Sequence, residues 1–577
     1  MAHAELAEVF RQIAQLMTIL GMDVFRIRAH ERAAQTLDTT AEDVGKLAKE
    51  GRLRELPGVG EGISKKILEW LEHGRVQELE DLRKQVAPAI LELMRVPGLG
   101  PKKAKLLVDE LGLKSVADLE AACRDRRVQP LKGMGAKSEE KILAGIAAMR
   151  ATRERTPLYE AREIAGKIVD HLKTAGGASE AVPTGSVRRW KETVRDIDIL
   201  TVAPDPAKLM KAAATMPGVV EVIGHGETKT SVVWGQDRLQ VDVRVVPPDS
   251  WGAALQYFTG SKEHNVRFRE RANRMGLTVN EYGVFHLKKT GEKGARVAGE
   301  TEESVYKALG LHWIPPELRE DKGEIEEAEK GLPRLLERGD IRGDLHVHTT
   351  YSDGTASIEE MARAAEAQGY EYVAITDHSP SASYAGGLTV ERIRRQWDEI
   401  EKVQKTVKIR LLRGTEADIL PDGGIDWPDR ILEQLDVVVA AIHQMVRGDR
   451  EAHTKRLVRA LEHPRVHVIG HPSTRRLGMR PGLDIDWEQV FAAAKKHGKA
   501  LELNSSPERL DLDETHLARA KALGIPILIG TDSHGVAMLE NIEYGVHMAR
   551  RARLEPADVM TTRKLKDLEK WLSARRP

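Results

Sequence analysis

Two sets of side chains in this 577-residue chain have the types and spacing of metal chemistry. The first is made of carboxylates. Asp196 and Asp198 stand two apart in the apolar run DIDILTV, so on a strand both leave the same face of the sheet. Asp242, in LQVDVRVV, can bring a third carboxylate from a neighbouring strand. Hard oxygen donors of this kind suit Mg2+, which takes few carboxylates and completes its shell with water and substrate phosphates. Two such ions about 4 Å apart activate a nucleophilic oxygen and stabilise a leaving pyrophosphate. An Asp-x-Asp pair alone is an ordinary strand edge, but this one has neighbours. Upstream lies Gly185-Ser186-Val187-Arg188-Arg189, where backbone N–H groups, the Ser186 hydroxyl and Arg189 can cradle a triphosphate. Downstream come Tyr257-Phe258-Thr259-Gly260-Ser261 and then His264, Asn265, Arg267 and Arg269.

The second set mixes imidazole with carboxylate. His346 and His348 form a His-x-His in DLHVH, followed by Asp353, His378, Glu416, His443, His471, Asp532 and His534. A lone histidine at a strand end is ordinarily a hydrogen-bonded structural residue. Six of them with three carboxylates, all at or just past apolar runs, point instead to a polynuclear hydrolytic centre. The donor mixture suits Zn2+, Mn2+ or Fe2+ better than an all-oxygen site does. Cys123 is the single cysteine, which excludes a disulfide framework and any multi-thiolate zinc site. Arg475 and Arg476 follow His471 and can hold a substrate phosphate or simply form a solvated basic loop.

These residues need elements to position them. Residues 1–150 carry helical periodicity, as in Leu6, Val9, Phe10, Ile13, Leu16, Met17 and Leu20. Three glycine pentapeptides repeat there: LPGVG with Gly58 and Gly60, VPGLG with Gly98 and Gly100, and LKGMG with Gly133 and Gly135. Each precedes a Lys-bearing helical segment, whose free N–H groups and positive dipole end suit a phosphate. They resemble helix-hairpin-helix motifs, which bind the DNA backbone without reading sequence. Strands and helices alternate over about residues 157–316, and residues 317–340 read as a charged helical linker. After residue 341 the strands YVAIT, IRLLRG, VVVAAI, VHVIG, ALELN and PILIG alternate with amphipathic helices, the rhythm of a β/α barrel.

Taken together, GSVRR, DID, VDVRVVP, YFTGS and NEY (Asn280 to Tyr282) resemble the family X DNA polymerases over residues 1–316, hairpins included. The resemblance implies that Asp196, Asp198 and Asp242 hold two Mg2+ ions, with Asp242 accepting the 3′-hydroxyl proton. It implies that Gly185, Ser186 and Arg189 bind the incoming deoxynucleoside triphosphate. Tyr257, Phe258 and Gly260 would wall off a 2′-hydroxyl, and Asn265 and Arg269 would probe the minor groove of the nascent pair. In this family a lysine after the first hairpin can form a Schiff base with a 5′-deoxyribose phosphate. Lys66 matches it, whereas a companion lysine of some members is Gly62 here, so a plain phosphate contact is an equal reading.

The C-terminal part resembles the PHP (polymerase and histidinol phosphatase) domains, distorted β/α barrels holding up to three metals such as Mn2+ or Zn2+. The resemblance implies one ion at His346, His348, Glu416 and Asp532, with Glu416 bridging to a second at His443 and His471. Asp353, His378 and His534 would hold the third. It further implies a Mn2+-dependent 3′→5′ exonuclease, with abasic-site endonuclease or 3′-end cleaning as related activities.

The expected architecture is therefore multidomain. Residues 1–85 form a helical lyase-like domain with the first hairpin, and 86–155 a helical DNA-binding subdomain with the other two. Residues 156–248 form an α/β nucleotidyltransferase palm, 249–316 a small α/β subdomain facing the nascent base pair, 317–340 the linker, and 341–577 the TIM-like PHP barrel. The start lacks a signal-peptide pattern and no apolar run approaches 18 residues, so a cytoplasmic protein without a membrane span is expected. Basic and acidic residues balance at 89 each, which excludes a crude polycation but not a DNA enzyme whose metals carry positive charge. The expected role is gap-filling DNA repair by a monomer acting on gapped or primer-template DNA. A nucleotidyltransferase with another substrate and a non-catalytic DNA-end scaffold are the alternatives; the hairpins and YFTGS speak against the first, two full ligand sets against the second.

Overall fold

The computed structural model describes residues 2–574 apart from 40–43, 57, 74–75, 95, 97–98, 132, 154, 236–237, 289 and 445–447. The chain forms two compact units, residues 1–154 with 383–387 in one and 155–382 with 388–577 in the other. The first is helical, and its periodic residues do what their spacing predicts: Leu6, Phe10, Ile13 and Met17 of Ala2–Ile19 are all buried. Helices on both sides of residue 85 share one apolar core that runs from Leu6 to Ile146. The sequence periodicity has no marker for that continuity, because the residues on either side of 85 bury equally well against each other or apart.

The glycine pentapeptides share one hydrogen bond. In each, the fourth residue donates its N–H to the first residue's carbonyl, Val59 to Leu56 at 3.1 Å, Leu99 to Val96 at 3.0 Å and Met134 to Leu131 at 2.9 Å. Gly58 and Gly133 take φ of +76° and +78°, a left-handed conformation that glycine adopts without a Cβ penalty. Gly98 lies outside the described residues. Gly60, Gly100 and Gly135 each precede a helix, Glu61–His73, Pro101–Leu111 and Ala136–Arg153.

The second unit carries three sheets of note. A five-stranded sheet orders Glu180–Pro183, Asp196–Val202, Leu239–Val245, Lys229–Trp234 and Val219–His225. Asp196–Val202 and Leu239–Val245 run parallel with Asp198 directly beside Asp242. A three-stranded antiparallel sheet of Leu277–Asn280, Gly283–Leu287 and Lys293–Ala298 follows. The third sheet has seven parallel strands in chain order, from Gly343–Val347 to Ile527–Gly530. Its ends meet: His348 N–H donates to the Ser533 carbonyl at 2.8 Å and Asp532 N–H to that of His346 at 2.9 Å, closing a barrel. Strands such as Val437–Ala441 are buried at every position, as a parallel sheet covered on both faces requires.

Residues 317–340 depart from expectation. In place of a helical linker, only Glu324–Glu327 is helical, flanked by two short 3-10 turns. Leu318, Ile325, Ala328 and Leu335 pack into an apolar core with Phe268 and Tyr306. Some of its charges are buried and paired: Glu317 binds His547 and Arg550, both at 2.7 Å, and Arg319 binds Glu302 at 2.6 Å. A run of charge reads as solvated only while its partners, for Glu317 more than 200 residues away, are out of view.

Candidate active sites

The strand pair Asp196–Val202 and Leu239–Val245 sets three carboxylates on one sheet edge. Asp198 is the most enclosed; burial, aided by Asp196 and Asp242, pushes its carboxyl up to about 7. Burial and Asp242 likewise raise Asp196. Asp242 goes the other way despite burial, because Lys229, Ser231 and Gln240 bond its ionised form. Lys229 Nζ lies 2.6 Å from Asp242 Oδ2 and Gln240 Nε2 donates to Oδ1 at 3.1 Å. Lys229 was missed from sequence, since its place beside Asp242 depends on the antiparallel register of Lys229–Trp234 against Leu239–Val245. Two carboxylates whose proton affinity burial and their acidic neighbours raise, beside a third that stays ionised, are a donor set that a hard divalent cation would relieve.

The turn above them brings Gly185 close: a Cβ there would sit 2.6 Å from Asp198 Oδ2, and φ is +56°. Ser186 is half-buried beside it. Arg188 is taken by Glu302 in a two-pronged pair at 2.7 and 2.8 Å and by Thr259 Oγ1 at 2.7 Å. Arg189 donates from Nε to Glu320 at 2.9 Å and from Nη1 to the Thr259 carbonyl at 2.7 Å.

Tyr257, Phe258 and Gly260 lie at the end of the helix Trp251–Thr259. Asn265 fastens that end: its Nδ2 donates to the Tyr257 carbonyl at 2.7 Å and to that of Gly260 at 3.3 Å. A Cβ on Gly260 would sit 2.7 Å from Asn265 Oδ1, so the turn is built around the absent side chain. Arg269 is exposed one helical turn on, its Nε on the Asn265 carbonyl at 3.2 Å. Asn265 is thus a fastener of the wall in this conformation, while Arg269 has the exposure a nucleic-acid contact needs.

The barrel mouth gathers all nine predicted ligands at the C-terminal ends of its strands, where such barrels place chemistry. Ligand atoms of His346, His348, Glu416 and Asp532 lie within 4.8 Å of one another, as do those of His348, Asp353, His378 and His534. A third group joins His378, Glu416 and His443, and His471 Nε2 lies 2.8 Å from Glu416 Oε1. His378 leans towards Glu416, 3.0 Å from Oε2, as well as towards Asp353 at 3.6 Å. Nε2 of His346 and both ring nitrogens of His348 are buried without a hydrogen bond. Buried nitrogens aimed at a carboxylate cluster fit a metal site, for otherwise their desolvation is uncompensated.

Charge in this pocket is strongly coupled. Although burial opposes it, surrounding imidazoles hold Glu416 well below the usual carboxylate range, and Asp532 likewise. Burial also opposes, and Glu416 and Asp418 outweigh, in pushing His443 up to about 10. Burial, with His534 and His378, lowers His348. His471 and Asp532 take φ of +24° and +55°, left-handed values that store strain at two of the predicted ligand positions.

A second layer escaped the sequence. Glu502 accepts from His346 Nδ1 at 2.6 Å and from the His471 N–H at 2.6 Å, and Asp418 faces His443 Nδ1 at 2.9 Å. Such carboxylates fix the ring tautomer and leave the other nitrogen for the metal. Asp377 organises the loop carrying Asp353, taking the N–H of Thr349 at 2.8 Å and of Ser352 at 3.1 Å. A carboxylate in the middle of a fully buried strand, as Glu502 is in ALELN, was the available signal. Arg475 and Arg476 turn away to Glu192 and Glu508, both at 2.7 Å, whereas Arg509 Nε lies 3.7 Å from Asp532.

In the first unit, Lys66 Nζ lies 2.5 Å from Glu78 and 2.8 Å from His30 Nε2. Hydrogen bonds from His30, then Lys66, hold Glu78 down to about 2 despite burial. Lys65, Lys102, Lys103 and Lys137 are exposed near the hairpins.

Comparison with known proteins matches four stretches. A helix-hairpin-helix domain model covers residues 1–76, a SAM-like helix-hairpin-helix tandem 90–148, the DNA polymerase beta thumb 254–320 and the PHP domain 344–506. The chain is 38% identical over 570 residues to the "DNA polymerase/3′-5′ exonuclease PolX" of Bacillus subtilis (strain 168), covering 98% of this chain and 99% of that protein. A probable phosphatase of Thermoanaerobacter sp. (strain X514) is 31% identical over 231 residues, 38% of this chain and 89% of its own. Another, from Caldanaerobacter subterraneus subsp. tengcongensis, is 35% identical over 208 residues, 33% of this chain and 75% of its own.

Proposed function

Because the chain belongs to the family X DNA polymerases that carry a PHP domain, we propose that it fills short DNA gaps with its palm and trims 3′ ends with its barrel. The single observation that carries this reading is one chain holding two separate acid-rich centres, Asp196/Asp198/Asp242 and the barrel cluster.

In the palm, Asp196, Asp198 and Asp242 would hold two Mg2+, and the barrel residues up to three Mn2+ or Zn2+. When bound, these ions supply Lewis-acid stabilisation of the phosphoryl oxygens and activate the attacking oxygen. The protein's own part in extension is positional. Gly185, Ser186 and Arg189 seat the triphosphate, and Tyr257, Phe258 and Gly260 crowd a 2′-hydroxyl. Asp242 accepts the proton of the 3′-hydroxyl. In the barrel, Glu502 and Asp418 orient His346, His471 and His443, so their free ring nitrogens would receive a metal without rearranging. Repair of damaged DNA is the setting that joins extension to 3′ trimming. In the N-terminal unit Lys66, held by Glu78 and His30, serves as a backbone-phosphate contact.

A gapped primer-template tests the reading directly. With deoxynucleotides in Mg2+ the primer lengthens to fill the gap; without them in Mn2+ it shortens from its 3′ end. Equal use of ribonucleotides, or shortening from the 5′ end, contradicts it.

A further inference from the structure

The turn Gly185 to Glu192 has two halves. The first faces the palm carboxylates, as described above. The second is gripped by the barrel. Trp190 stacks on His547 with ring centroids 3.7 Å apart and 9° between planes, and Arg162 covers the indole at 3.8 Å. Trp190 has φ of +56°, a conformation a tryptophan keeps only when its surroundings impose it. Glu192 takes Arg475 at 2.7 Å, and Arg551 Nη1 donates to the Arg189 carbonyl at 2.6 Å.

At the centre of this contact stands Glu320. Its Oε1 accepts Arg189 Nε at 2.9 Å and lies 3.3 Å from both terminal nitrogens of Arg551, with Lys191 at 3.9 Å. Arg551, buried in the barrel helix Ile542–Arg551, also binds Glu514 at 2.6 Å. One carboxylate is therefore shared between the guanidinium proposed for the triphosphate and a guanidinium of the barrel. Burial would favour protonation of Glu320, yet Arg189, Arg551 and Lys191 hold it below the usual carboxylate range.

A triphosphate and Glu320 compete for the same donors of Arg189. An enclosed carboxylate stripped of its cation is costly, so nucleotide binding is easier if Glu320 keeps another partner. We infer that Glu320 is a latch on Arg189 and that Arg551 is the barrel residue that receives Glu320 when nucleotide takes Arg189. This rests on Arg189 being a triphosphate contact. Glu320 and Arg551 are positioning residues, and through them the hydrolytic half sets the nucleotide affinity of the polymerase half.

The test is single-nucleotide gap filling by the full chain, separating KM for the deoxynucleotide from kcat. Glu320→Gln lowers KM by at least about threefold at similar kcat, a gain that misfolding cannot produce. Arg551→Gln raises KM by a similar factor, and Glu320→Gln/Arg551→Gln behaves like Glu320→Gln alone, because no latch remains to be relieved. Melting temperature and barrel hydrolysis of bis(p-nitrophenyl) phosphate report whether each variant is folded. Arg189→Met is the control and raises KM about tenfold or more. If Arg189→Met raises KM while Glu320→Gln leaves it unchanged or raises it, the latch is overturned. If Arg189→Met leaves KM unchanged, the triphosphate assignment falls and the latch falls with it.

Discussion

The palm edge and the barrel mouth both gather acids, but they do so in opposite ways. The palm carboxylates are kept part-open, their mutual repulsion only partly answered by Lys229 on Asp242. Among the described residues, every group of three or more metal-ligating atoms within 4.8 Å lies in the barrel. There a second layer of Glu502, Asp418 and Asp377 holds the ligands and their loops. The contrast teaches that the barrel is organised before substrate arrives. The palm edge, as proposed above, would be completed by the nucleotide and its cations, in keeping with Mg2+ chemistry on phosphate ligands.

The largest expected difference is in metal retention. Protein passed through a desalting column is expected to keep barrel ions and no palm ions, and Glu416→Gln to lose most of that metal and at least about a thousandfold in hydrolysis, since Glu416 lies within 3.5 Å of five of the six imidazoles. Elemental analysis beside a hydrolysis assay checks both. Glu502→Gln sharpens the claim of preorganisation: metal affinity and hydrolysis fall about 10- to 100-fold while gap filling stays unchanged. A Glu502 variant with full metal content and full activity would put the barrel on the same footing as the palm.

How much of this was readable in advance follows from what local pattern encodes. The shared face of Asp196 and Asp198 was legible because alternation fixes it, and the gathering of the nine barrel side chains because they stand at or just past apolar runs. Lys229, Glu502 and Glu320 were not, because their roles come from partners that only register or tertiary packing supplies. The segment 317–340 misled for the same reason. Glu317 looks solvated until His547 and Arg550 are seen beside it.

Those buried pairs make a smaller, pH-dependent prediction. Although burial opposes it, His547 and Arg550 hold Glu317 down to about 2 from the usual 4.5. A depressed carboxylate contributes stability above its unfolded value and loses it as pH falls, here between about 4.5 and 2, on the order of 3 kcal/mol. Glu317→Gln should flatten the acid limb of a melting-temperature profile; an unchanged limb would mean the pair holds no such weight. Smallest of all, Lys66→Ala should weaken binding to gapped DNA a few-fold and reduce the salt slope by about 1. A borohydride-trapped DNA adduct lost in that variant would instead make Lys66 a nucleophile.

Two independent centres on one chain are proposed to build and remove the same 3′ end. One gapped-substrate assay of two double variants tests it most directly. Asp196→Asn/Asp198→Asn is predicted to abolish extension and keep Mn2+-dependent shortening, and His346→Ala/His348→Ala to do the reverse. Wild-type extension by the palm variant, or loss of both activities in either folded variant, would contradict it.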